Sequence, residues 1–92
     1  ITGGGLHNLN RITRFGFSID NPIEPQEIFR WLREAGSVSD REMYRTFNMG
    51  MGYTLIAPES SLPAIAARVP DARPVGIITE QPGIRLSGEK FT

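Results

Sequence analysis

Two glycine-rich stretches hold the residues whose types and spacing suit binding chemistry. The first is Thr2-Gly3-Gly4-Gly5. Consecutive glycines let backbone N–H groups converge on an anion with no Cβ in the way. Followed by a helix, such a loop reads as a phosphate cradle; taken alone, it reads more readily as a flexible end or a tight turn. No Walker-type lysine follows, and the GxGxxG spacing is absent. The second is Glu42-Met43-Tyr44-Arg45-Thr46-Phe47-Asn48-Met49-Gly50-Met51-Gly52. Arg45 offers a fork of donors for phosphate or carboxylate. Thr46 and Asn48 add a hydroxyl and an amide, and Gly50 and Gly52 allow close backbone approach. The plainer reading is a helix C-terminus, with Asn48 and Gly50 in left-handed conformations and Arg45 at the negative end of the helix.

Other candidates are sparse. His7 is the one histidine, and no partners for metal ligation accompany it. There is no Ser-His-Asp order and no carboxylate pair at catalytic spacing. The stretch by itself lacks a complete catalytic apparatus.

These motifs need elements to position them. Leu6, Leu9 and Ile12 fit a short helix after the first glycines. Phe15, Phe17 and Ile19 alternate with polar or small residues, the period of a strand with one apolar face. Pro25 suits the first position of a helix that buries Ile28, Trp31, Leu32 and Ala35 and ends at Gly36. Ser39-Asp40-Arg41-Glu42 is a capping box that opens a second helix ending near Asn48. Met51 to Ala57 reads as a largely buried strand. Ser60 or Ser61 caps a third helix with Pro63 in its first turn and a stripe of Leu62, Ile65, Ala66 and Val69. Val75–Thr79 and Ile84–Leu86 read as a β-hairpin turning at Gln81-Pro82-Gly83. Glu89 to Thr92 reads as a frayed tail. The sum is an α+β fold of mixed layers, helices on a mixed sheet of about four strands.

Composition narrows the class. The chain has 92 residues, 10 basic and 10 acidic, with no cysteine. That length allows one small domain or part of one. Balanced charge argues against a nucleic-acid arm. Without cysteine there is no disulfide framework or thiolate zinc site. No apolar run reaches the length of a membrane span, and no basic-then-apolar stretch reads as a secretion signal. The triple glycine lies two residues from Ile1, leaving room for almost no preceding strand, so residues 1–92 read as one part of a longer chain, incomplete on the N-terminal side.

The two glycine clusters together, with Ile28-Phe29-Arg30-Trp31-Leu32 between them and Val75-Gly76-Ile77-Ile78 near the end, closely resemble the C-terminal domain of the phosphoribosylformylglycinamidine cyclo-ligase (aminoimidazole ribonucleotide synthetase) family of purine biosynthesis. The resemblance covers nearly the whole chain. It implies an ATP-dependent ring closure of formylglycinamidine ribonucleotide, with ATP and magnesium held mainly by an N-terminal domain outside these residues. It further implies a cytoplasmic enzyme, homodimeric at full length, with the isolated fragment inactive and open to dimerisation. By matching position, Thr2, Gly3, Gly4, Gly5 and Asn8 would line one wall of an interdomain cleft, and Arg45, Thr46, Asn48, Gly50 and Gly52 the other, facing substrate or nucleotide phosphate. The family pattern Leu-x-Glu-Asn-x-Pro-Arg is one residue shorter here, Leu6-His7-Asn8-Leu9-Asn10-Arg11, with His7 where the acid would align. The alternatives are a non-catalytic anion-binding or assembly module of this fold, or a sister ATP-dependent enzyme such as selenophosphate synthetase, hydrogenase maturation factor or formylglycinamidine ribonucleotide synthetase.

Overall fold

A computed structural model describes residues 1–92. A four-stranded mixed sheet lies at its centre, in the order β2-β1-β3-β4. The strands are β1 (Gly16–Ile19), β2 (Ile77–Thr79), β3 (Gly83–Leu86) and β4 (Glu89–Lys90). β1 pairs antiparallel with β2 and parallel with β3, while β3 and β4 run antiparallel. The α-helices are α1 (Glu27–Gly36), α2 (Asp40–Thr46) and α3 (Leu62–Arg68). The fold is α+β, as the sequence indicates.

The run after the glycines is helical but wound as a 3-10 helix, Gly5–Arg11. Leu6 and Leu9 are buried on its inner side. They meet Phe17, Ile19, Met51, Ile84 and Phe91 in a seven-residue core. The helix and α2 pack against each other and carry the glycine loop between them.

Several sequence expectations are corrected. The first α-helix begins after Gln26, so Pro25 precedes the helix rather than opening it. Its left-handed C-terminal residue is Ser37, at φ 52°, and Gly36 remains helical. Ser39 caps α2 by accepting the Glu42 N–H at 3.2 Å. Glu42 does not reach back; its carboxylate accepts from the Thr46 hydroxyl instead. Residues 51–57 form no strand: only Met51 is buried, and Tyr53, Leu55 and Ile56 stand exposed. Phe15 is also largely exposed, beneath the Arg14 guanidinium.

The C-terminal segment differs most. β2 and β3 do not form a hairpin, because β1 lies between them. The hairpin is β3–β4, turning at Ser87-Gly88. The chain end is not frayed either. Phe91 is only 3% exposed, and the Phe91 and Thr92 N–H groups donate to the Ile84 carbonyl. Arg41 of α2 donates to the carbonyls of Lys90 and Phe91 and lies over the Phe91 ring. No helix is long and apolar enough to cross a membrane.

Candidate functional site: a glycine loop clamped beside the end of α2

Asn8 organises the first glycine cluster. Its Nδ2 donates to the Gly5 carbonyl at 2.8 Å and the Gly3 carbonyl at 3.1 Å, with a longer approach to Thr2 at 3.5 Å. The Gly5 N–H closes the turn onto the Thr2 carbonyl at 3.1 Å. Three loop carbonyls are thus gathered on one side. The Gly3 and Gly4 N–H groups make no hydrogen bond within the chain, so they remain available to an external acceptor.

The glycines differ in what they do. Gly5, at φ 53°, sits where a Cβ would run into the carbonyl oxygens of Tyr44 and Phe47. It is a packing contact that seats the loop on the end of α2. Gly3 has open space around it, with nothing within 4 Å of a Cβ. Gly4 turns left-handed at φ 97°, and Arg11 Nη2 lies 3.9 Å from where its Cβ would be. Arg11 therefore belongs to this neighbourhood. Its signal in the sequence is a cation three residues after Asn8, one 3-10 turn away on the same side.

The second cluster arrives through a left-handed pair, Met49 at φ 52° and Gly50 at φ 95°. Asn48 Oδ1 accepts the Gly50 N–H at 2.9 Å, closing this turn with its own side chain. Asn48 Nδ2 reaches the Ile1 carbonyl at 3.5 Å, and the Ile1 nitrogen donates to the Gly52 carbonyl. These contacts bring the two clusters together across 47 and 51 residues of sequence.

Not every candidate converges. Thr2, Gly3, Gly4, Gly5, Asn8, Asn48 and Gly52 share this region. Arg45 and Thr46 lie exposed in the last turn of α2, where the backbone of Arg45 abuts Gly5. Gly50 faces elsewhere, toward Gln26 and Ile23 at the start of α1. His7 stacks at a tilt on Phe91, ring centroids 5.3 Å apart, which gives it a packing role.

Two clefts flank the site. A shallow one of about 240 Å³ lies beside the loop, lined by Ile1, Asn8, Leu9, Ile12, Tyr53 and Thr54. A larger one of about 490 Å³ opens between α1, α2 and the β3–β4 hairpin, with Phe29, Tyr44 and Phe91 among its lining and Arg30, Arg41 and Lys90 at its rim. Burial first, then the nearby Asp40 and Glu24 carboxylates, hold the Tyr44 phenol above its ordinary pKa.

No three His, Cys, Asp or Glu side chains come together as a metal cage in residues 1–92. The unspent N–H groups of the loop and the adjacent Arg11 fit a phosphate-type anion.

Comparison with known proteins places this arrangement. The family of AIR synthase related proteins, C-terminal domain, matches residues 1–89. The phosphoribosylformylglycinamidine cyclo-ligase of Methanosarcina acetivorans is 54% identical over 86 residues, covering 94% of this chain and 25% of the relative. Those of Thermococcus gammatolerans and Methanopyrus kandleri are 44% and 43% identical, covering 94% and 91% of this chain and 26% of each relative. The chain thus spans about a quarter of the length of these relatives. Nearly every residue from the first glycines to β4 falls within the family match, and the chain belongs to the family of AIR synthase related proteins, C-terminal domain.

Proposed function

We propose that residues 1–92 form part of a phosphoribosylformylglycinamidine cyclo-ligase, and that their glycine loop holds a phosphate of substrate or nucleotide. The loop's geometry carries this reading. Asn8 occupies the loop's carbonyls while the N–H groups of Gly3 and Gly4 stay unspent beside Arg11. Such a cradle binds anions through fixed dipoles, at little reorganisation cost.

In this reading ATP phosphorylates the amide oxygen of formylglycinamidine ribonucleotide, and a substrate nitrogen then attacks the activated carbon and expels phosphate. Residues 1–92 contribute binding and orientation, which can supply much of the acceleration in such transfers. ATP and magnesium belong mainly to the part of the enzyme outside this chain. The full-length protein is then a cytoplasmic homodimer, and residues 1–92 alone do not turn over.

Steady-state kinetics of the full-length enzyme test this. Asn48→Ala and Arg11→Ala are each expected to lower kcat/KM at least tenfold, about 1.4 kcal/mol of transition-state stabilisation. Unchanged kinetics in both variants would leave the region with a structural role only.

A further inference from the structure

α1 is strongly amphipathic, yet most of its apolar stripe faces solvent, with Leu32 alone half-buried. Trp31 is 62% exposed and Ile28 55%. The helix touches the rest of the molecule along a neighbouring face, through Phe29, whose ring centroid is 5.9 Å from that of Phe47, and Arg33, which pairs with Asp40. At helical spacing Phe29 and Arg33 lie roughly 100° or more from the centre of the Ile28–Trp31–Leu32–Ala35 stripe. The stripe is therefore not the surface that holds α1 in place.

The whole molecule has surface to spare. Its accessible area is 6581 Å², against about 5,300 Å² for a compact monomer of this mass. The excess is larger than the ~800 Å² one partner contributes to a stable interface. A polyanion or an anionic lipid surface has nothing to steer it here, because the charges flanking the stripe are Glu27 and Glu34 and the net charge is zero. The relatives supply an occupant of sufficient size, since three-quarters of their length lies outside the matched quarter.

We infer that the Ile28–Trp31–Leu32–Ala35 face of α1 is an intramolecular docking surface, covered by an apolar face of the cyclo-ligase chain outside residues 1–92. The inference rests on the functional reading above. It also links docking to the site. The other side of α1 reaches the second glycine cluster, with Phe29 on Phe47 and Gln26 Oε1 about 3.0 Å from where a Gly50 Cβ would be. A body seated on the stripe thereby fixes the helix against which the Asn48–Gly50 turn rests.

Trp31, the one tryptophan of this chain, reports the state directly. The experiment uses the full-length protein, with any other tryptophan changed to phenylalanine, and measures acrylamide quenching against N-acetyltryptophanamide. Docking predicts a quenching constant at least fivefold below that of the free analogue, with blue-shifted emission, unchanged on dilution. Quenching within twofold of the free analogue would overturn it, as would shielding that disappears on dilution, which would indicate a second copy on the stripe. Trp31→Lys in the same protein is expected to lower the melting temperature by several degrees, and an unchanged melt would also overturn the inference. None of these readouts requires turnover. A shielded Trp31 in a protein without cyclo-ligase activity supports docking while overturning the functional reading.

Discussion

Asn8 is the residue on which the first glycine cluster depends. One amide nitrogen satisfies two loop carbonyls at hydrogen-bond distance. Asn8→Ala removes the donor and leaves those acceptors to water, a loss of about 1–2 kcal/mol that thermal unfolding should register. Tyr44 gives a second residue-level expectation. Its folded-state pKa lies above the ordinary value of 10.0. Its contribution to stability is therefore fully present below the unfolded-state pKa and lost as pH rises through the folded value. Denaturation followed from pH 9 upward should show stability falling, and Tyr44→Phe should flatten that slope. At this scale the sequence was informative where side-chain type alone decides the matter. The glycines, Asn8 and Asn48 are found together because each has a local turn to close. Gly50 faces away from the loop, toward α1, a direction set by the left-handed turn at Met49, which no spacing rule contains. Arg11 had only a weak signal, a cation three residues after Asn8, because its approach to Gly4 depends on how the loop folds back over the 3-10 helix.

At the scale of elements, the Ser39 cap holds the start of α2. Ser39→Ala is expected to cost about 1 kcal/mol. Glu42→Ala should be nearly neutral, within about 0.5 kcal/mol, because its carboxylate meets only the exposed Thr46 hydroxyl. Chemical denaturation of the two variants side by side checks the asymmetry. Apolar periods located all three α-helices, since those signals are local, but of the expected caps only Ser39 makes its bond; Ser61 precedes α3 without a side-chain capping bond. The sheet was less legible. Ile77–Thr79 and Ile84–Leu86 look like hairpin partners because a proline–glycine turn separates them. The extended β1 inserts between them instead, and the nearer Ser87-Gly88 turn makes the hairpin. β4 is too short to announce itself, and Arg41, from 49 residues away, secures its carbonyl.

The whole molecule is open for its length. Its radius of gyration is 13.6 Å, where about 12 Å is usual for a compact chain of this size. Only 11 of 92 residues are buried. A compact domain of this length would unfold with about 60 kcal/mol of enthalpy; calorimetry of residues 1–92 should give well below that. The same openness explains why two stripes were misread as core. Trp31 and the segment from Tyr53 to Ile56 are apolar in a pattern that demands burial, and the pattern is correct about the demand. Within residues 1–92 both remain exposed, so the burial that periodicity leads one to expect is not met by these residues alone.

The unequal surroundings of Gly3 and Gly5 bear on how this loop tolerates change over evolutionary time. Neighbouring positions that look identical in a sequence answer to different pressures. At Gly5 any side chain collides with the backbone of α2, so drift there is stopped by failure to fold, whatever the ligand. Gly3 has free space, so alanine or serine there leaves the fold intact and is removed only where binding matters. A library of loop variants sorted first for abundance and then for activity would separate the two. An invariant glycine triplet in this loop would then record two histories, one of architecture and one of chemistry.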